Sequence, residues 1–519
     1  MFFRPRGAAD LSVVNDRRVP CVQCRGICRP RAWITRGRSL FDAREPARRP
    51  QPPKPASRAG KVSTWTYFKL FKKDILSAQP AHLYRAWMAE FRTPFFRSYL
   101  CNDPALVDLV LKERPMDFPK SERIRTGLKP LLGESIFISN GALWEHQRRI
   151  IDPAFEGGRL RLIFPAMWDS GVAAVERLRA LADGRPVEIE SHASHVAMDV
   201  IFRTLFSVPI EHRIASAAFA TFREHQAEQP IANVLALLPL PRWFPRFHSR
   251  RTRRTAATIR GLIGELTRAR AAELEAGRAP DDLATKIMTT PDPETGKCFE
   301  TDEMIDQVAI FFLAGHETSA AALAWALYLL AANPDWQERV AAEAFAAYEP
   351  DKIYFSTLHK LRHARAVFRE AMRLYPPVPM FVREAACPES FRGRKVRKGS
   401  QVILSPWHLH RHERIWDQPD DFDPSRFDTP NGRNGLRNAY IPFSAGARVC
   451  PGSAFAMAEG PLLLSMLVRA FRFDTIPGRE PVPVAHLTVR AKDGIHLALT
   501  PREAPPPQAP IFDTDKAET

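Results

Sequence analysis

Cysteine is scarce. The 519 residues hold seven, at positions 21, 24, 28, 101, 298, 387 and 450. An odd, scattered set excludes a disulfide-stapled framework and points to a reducing compartment. Long apolar runs are also missing: none reads as approaching the roughly eighteen residues of a membrane span. The start, Met1-Phe2-Phe3-Arg4-Pro5-Arg6, lacks the apolar core of a secretory signal, so a cytoplasmic chain is expected. There is no internal repeat, and no linker-like composition break between Lys61 and Thr500. One large catalytic domain over 61–500 follows, long enough to enclose a cofactor.

Acidic residues are few at the N-terminus. Residues 1–60 carry thirteen Arg and one Lys against three Asp and one Glu, so +10 of the formal +17 lies there. Eight prolines and no sustained period predict a disordered extension, as does the polar, Pro-rich stretch 501–519. An organellar transit peptide, a nucleic-acid or membrane-surface arm and a metal site at Cys21-x-x-Cys24-x-x-x-Cys28 are weaker readings. Serine is scarce, aromatics are thin, and no fourth ligand is nearby. Nucleic acid is not an expected partner.

What is present is a loop, Phe443-Ser444-Ala445-Gly446-Ala447-Arg448-Val449-Cys450-Pro451-Gly452, running into an apolar helical stretch, Ala454 to Ala470. A cysteine near a helix N-terminus should have a lowered thiol pKa and act as a thiolate ligand. Arg448 is placed to meet a second anion. Thiolate, glycine clearance and a cation together suit a haem, with the sulfur on iron and the arginine on a propionate. The loop resembles the cysteine signature F-x-x-G-x-R-x-C-x-G of the cytochrome P-450 family, with Phe443, Gly446, Arg448, Cys450 and Gly452 at its specified positions.

A second motif lies on the longest helical segment, about Thr301 to Ala332, which begins with Asp302 and Glu303 and ends before Asn333-Pro334. Its middle reads Phe311-Phe312-Leu313-Ala314-Gly315-His316-Glu317-Thr318-Ser319. A glycine in mid-helix and an acid beside a threonine on an apolar helix are costly, which suggests use. The segment resembles the family's dioxygen-binding helix. That resemblance implies that Ala314 and Gly315 leave room above the iron, and that Glu317 and Thr318 handle protons for O–O cleavage. Bland readings compete: Gly315 as a helix contact and Thr318 as a back-bonded hydroxyl. His316 is expected to be a satisfied structural histidine.

The resemblance also assigns Glu370-x-x-Arg373 and Arg426 to a buried structural network, Trp144-x-x-x-Arg148 and Arg383 to haem propionates, and Phe311, Phe312, Val378, Met380 and Phe381 to a lipophilic pocket. Gly460-Pro461 departs from it, because proline should kink or end the helix after Cys450. An apolar stretch, Ile231 to Phe244, is expected to form an entrance loop with peripheral membrane contact.

The expected protein is a mainly α chain with small β-sheets in the P-450 fold, of the soluble bacterial type. It carries haem b (iron protoporphyrin IX) and works as a monomeric monooxygenase on dioxygen and a lipophilic substrate, with fatty acids ahead of terpenoids. No flavin or ferredoxin-like module is visible, so electrons should come from a separate donor, a ferredoxin with an NAD(P)H-dependent reductase. That donor is expected to dock near Arg149, Arg433 and Arg437. A peroxide-driven or isomerising enzyme and a non-catalytic haem-thiolate sensor are the alternatives; the Glu317–Thr318 pair argues against both.

Overall fold

The computed structural model describes residues 51–58, 60, 62–92, 97–228, 249–348 and 354–502. The Ile231–Phe244 stretch and the Cys21–Cys28 cluster lie outside them. Helices dominate, and the strands among the described residues gather into four small sheets. Strands β1 (Met88–Arg92) and β2 (Arg97–Cys101) pair antiparallel, with Glu90 opposite Tyr99. The segment between β3 (Pro186–Glu188) and the C-terminus supplies β4 (Phe381–Glu384), the hairpin β5 (Glu389–Phe391) and β6 (Arg394–Val396), and β7 (Gln401–Leu404). It then continues through β8 (Phe471–Thr475), the hairpin β9 (Pro483–Ala485) and β10 (Val489–Ala491), and β11 (His496–Pro501). The largest sheet has the order β1-β2-β7-β4, with β2 and β7 parallel, and a three-stranded sheet has the order β3-β11-β8.

Thr301–Ala331 forms the central helix. Its start is fixed by a capping box, in which the Glu300 N–H donates to Glu303 Oε2 at 3.0 Å. Phe202, Phe206, Phe222 and Phe312 cluster where this helix meets Ile189–Phe206, with the Phe202 and Phe312 rings 4.5 Å apart. Gly315 makes that crossing tight: a Cβ there would lie 2.4 Å from Ile201 Cδ1. Trp325 stacks on Tyr375 at 3.9 Å, tying the central helix to the chain that follows Arg362–Leu374.

Three sequence expectations change. The helix after Cys450, Ser453–Ala470, runs unbroken through Pro461, and Gly460 brings it against Phe368, where a Cβ would clash at 2.1 Å. The domain begins earlier than residue 61 and ends later than 500. Pro52 and Pro55 are buried, Tyr375 donates to the Pro53 carbonyl at 2.8 Å, β11 reaches Pro501, and Arg502 binds Glu338. Two helices, Thr301–Ala331 and Ser453–Ala470, are long and apolar enough to cross a membrane, contrary to the expectation from sequence; most of each is buried in this core.

Candidate functional site

Between the central helix and the Cys450 loop lies a cavity of about 460 Å³, lined mostly by apolar side chains. Cys450 opens into it from one side; Ala314, Gly315, Thr318 and Ser319 line it from the central helix. The loop is held by the Cys450 N–H, which donates to the Phe443 carbonyl at 2.9 Å, and by Arg148, which donates to the Val449 carbonyl at 2.8 Å. Gly446 has φ +66, and a Cβ there would lie 1.8 Å from the Leu111 carbonyl oxygen, so both backbone and space require glycine.

The Cys450 side chain is exposed, opening into the cavity, while the surrounding protein still desolvates the thiol. Burial pushes the thiol up from its ordinary value, against the pull of the Gly452 N–H, Arg148 and Lys120. The lowered pKa expected from a helix N-terminus is thus outweighed by desolvation.

Three of the cations that line the cavity have no carboxylate partner among the described residues, whereas Arg148 and Arg125 are paired with Asp152 and Glu134. Arg448 stacks over Trp144 at 4.1 Å and donates to the Ser139 carbonyl and to Asn140 Oδ1, while its Nε has no partner. Arg383 is buried and, among the described residues, its side chain donates only to the neighbouring Val382 carbonyl. Burial, with Arg448 beside it, lowers Arg383 to about 10; burial and then Arg148 lower Arg448 to about 10. Lys120, which no sequence motif flagged, projects over Phe137, and burial followed by Arg383 and Arg448 holds it well below the usual lysine value. None of Lys120, Arg383 and Arg448 has a carboxylate partner among the described residues. Desolvated cations without a carboxylate partner fit a dianionic group, as the two propionates of haem b require. A thiol, an apolar cavity and three spare cations together fit that cofactor.

Other expected residues are placed as follows. Thr318 lines the cavity, its hydroxyl donating to the Ala314 carbonyl at 2.6 Å. Glu317 does not line it. Its carboxylate turns to Thr488 and Arg490, at 2.6 and 2.8 Å, about 100° round the helix from Thr318. His316 is buried against Ser194, and burial lowers it to about 3, so it is structural. Phe311, Val378, Met380 and Phe381 line the cavity; Phe312 does not, because consecutive helical residues face apart and it packs into the aromatic cluster. Arg148 is bound to Asp152 as well as to Val449.

Away from the cavity, Glu370 receives Arg373 through two bonds and Arg426 through one, all at 2.8 Å, together with the Asp423 N–H at 3.0 Å. The two arginines direct their remaining donors to the carbonyls of His410, Asp417, Gln418, Pro419 and Asp421. Arg149 binds Asp292, which is itself buried, and Arg433 bonds the Asp428 carbonyl.

Fold and cavity together define a haem-thiolate oxygenase. The Cytochrome P450 family profile matches residues 75–499. Cyclooctat-9-en-7-ol 5-monooxygenase of Streptomyces melanosporofaciens is 32% identical over 78% of this chain and 86% of its own. Cytochrome P450 4A14 of Rattus norvegicus is 29% identical over 77% and 81%, and cytokinin hydroxylase of Arabidopsis thaliana 28% over 80% and 83%. The chain belongs to the cytochrome P450 family, whose members bind haem b through a cysteine thiolate, and it is a monooxygenase.

Proposed function

We propose that Cys450 supplies the thiolate, that Lys120, Arg383 and Arg448, with Trp144 beneath the last, hold the propionates, and that the substrate is a lipophilic hydrocarbon skeleton with few polar groups. The observation that carries this reading is the trio of cations, Arg383 buried and Lys120 and Arg448 half-buried, that line the Cys450 side of an apolar cavity with no carboxylate partner among the described residues. When bound, the haem supplies the centre at which dioxygen is reduced and one of its atoms passed to substrate.

The chain's own residues then do three things. Phe311, Val378, Met380 and Phe381 orient the substrate and exclude bulk water from the space beside Ala314. Thr318, its hydroxyl hydrogen held by the Ala314 carbonyl, presents an oxygen in the cavity wall that can accept a hydrogen bond from a cavity water and so hold that water's proton in place. Glu317, one residue back on the helix and bound to Thr488 and the partly exposed Arg490, takes up protons on the face turned away from the cavity. Cyclic terpenoid alcohols and fatty acids both fit such lining. The cyclic alcohol in the name of the Streptomyces relative, cyclooctat-9-en-7-ol, favours the cyclic terpenoid-like skeleton, so we place it first, reversing the order expected from sequence.

Electrons come from a separate ferredoxin-type donor in this reading. Because Arg149 is engaged with Asp292, the docking face rests on Arg433 and Arg437 rather than on it. The protein acts as a cytoplasmic monomer.

The test is spectroscopic. Thiolate ligation shifts the ferrous carbon-monoxide Soret band strongly to the red, so Cys450→Ser should retain a folded chain and lose that band. A variant that keeps the band rejects the assignment.

A further inference from the structure

A second, much smaller cavity of about 70 Å³ adjoins the main one, and Leu128, His486 and Leu487 line both. It lies between the helix Glu122–Leu132, the end of Arg213–Glu228, the start of Arg250–Glu275, the central helix and the β9–β10 turn. Two polar atoms of its lining residues are buried and have no partner among the described residues: Gln226 Nε2 and His486 Nδ1. Unmet buried polar atoms are costly, so two of them at one small pocket mark a place for a guest.

The other polar groups of this pocket are engaged. Arg490 and the Thr488 hydroxyl both bind Glu317 Oε1, at 2.8 and 2.6 Å. His225 Nδ1 meets Thr255 Oγ1 at 2.6 Å, and Thr252 Oγ1 meets Ser249 Oγ at 2.8 Å. The Arg490–Glu317 pair carries no net charge, and burial holds both histidines below the usual value, so they are neutral at neutral pH. A carboxylate entering the pocket would face the Glu317 carboxylate, with Arg490 already taken.

A neutral hydroxyl matches what is left over. It can accept from the Gln226 N–H and donate to an unprotonated imidazole nitrogen, which neither a hydrocarbon nor a carboxylate can do. The central helix sets the distance to the main cavity. Leu313 and Glu317 line the small pocket, and Ala314, which lines the main one, stands between them in the chain. The two spaces therefore lie within about one helical turn of each other along the axis, about 5.4 Å. A group held in the small pocket sits only a few carbons from the carbon presented beside Ala314.

We propose that this pocket binds a hydroxyl already present on the substrate, through Gln226 and His486, and so decides which carbon of the skeleton lies beside Ala314. Both residues are positioning residues: they hold the substrate and take no part in the bond-making step. The inference deepens the cyclic-alcohol reading of the main cavity and rests on it. The substrate then comes from a reaction that has already placed one oxygen on the skeleton.

The test titrates the holoenzyme with cyclic terpenoid alcohols and their parent hydrocarbons, cedrol with cedrane, borneol with bornane and menthol with menthane, and reads the haem absorbance shift. In the wild type the alcohol of at least one pair should bind about tenfold more tightly than its hydrocarbon, or better. Gln226→Leu and His486→Phe, each first shown to keep the ferrous carbon-monoxide band, should bring that ratio to about one. His486→Asn, which returns a polar atom close to the place of Nδ1, should recover part of it. Oxidation of the alcohol should also spread over more positions in Gln226→Leu than in wild type. Hydrocarbons that bind as well as alcohols in every wild-type pair, or an alcohol preference that survives in both variants, overturns the proposal and leaves the cyclic-skeleton reading standing. No shift from either series, whether or not lauric acid gives one, overturns that reading and this proposal with it. If one variant does not fold, the ratio in the other decides.

Discussion

Two groups of desolvated positive charge lie in this domain, and the chain treats them in opposite ways. Arg373 and Arg426 surround Glu370 in a network whose donors end on carboxylate or carbonyl oxygens. Lys120, Arg383 and Arg448 meet around the cavity with no acid among them, and burial drags the pKa of each downward. Both sets are desolvated, so burial alone does not distinguish them. The missing partner does: a network closed by protein is part of the scaffold, and one left open is a receptor for an anion. The same comparison separates the groups of the small second pocket. Glu317 is closed by Arg490 and Thr488, whereas Gln226 and His486 each keep an idle nitrogen among the described residues.

Breaking the closed network should have the largest effect. Glu370→Gln leaves two buried arginines without their counter-charge, at a cost of about 3–5 kcal/mol. Urea unfolding of the apo chain should show the loss, and the yield of folded holoprotein should fall with it. A midpoint unchanged from wild type would mean that the carbonyls alone suffice to hold Arg373 and Arg426.

Two adjacent phenylalanines offer a sharper contrast. Phe312→Ala empties a position fully buried against Phe202, Phe206 and Phe222, and should cost about 3–5 kcal/mol with little change in substrate affinity. Phe311→Ala opens the cavity wall, and should weaken the haem absorbance shift produced by a lipophilic substrate while costing less stability. Unfolding and substrate titration of the pair check this. Equal substrate effects would place both rings in the pocket.

The site is legible in the sequence wherever its chemistry is written in local spacing. Cys450 with Gly446 and Arg448, Ala314 with Thr318, and Glu370 with Arg373 each lie within a few residues of one another, so loop or helix geometry determines their meeting. Phe312 misleads because the apolar character of a helix does not show its 100° step. Lys120 is invisible because its neighbours, Arg383 and Arg448, stand more than 250 positions away and its counter-ion is no part of the chain. Gln226 and His486 are invisible for the same reason, since they too stand more than 250 positions apart and neither belongs to a motif. The thiol shift differs in sign from expectation because a helix terminus is visible in sequence and the depth of its burial is not.

Lys120 also gives the smallest effect, and the one whose sign is most telling. Its folded pKa is depressed, so the unfolded chain binds a proton more readily. In the apo chain this costs nothing at pH above the unfolded value, and the cost grows as pH falls below that value, until the folded lysine protonates too. Lys120→Met should therefore stabilise the apo chain at neutral pH by a modest amount. Measured stability should converge with wild type at high pH. Destabilisation at neutral pH would show that a protein group already compensates the lysine.

The decisive measurement is made on the double variant Lys120→Met/Arg448→Met, by comparing apo-chain unfolding with haem affinity from titration of the same preparation. An open receptor predicts opposite movements: the apo chain at least as stable as wild type, and haem bound at least tenfold more weakly. An apo chain destabilised as in Glu370→Gln, with haem affinity unchanged, would show that these cations belong to the scaffold and contradict the assignment of the anion site.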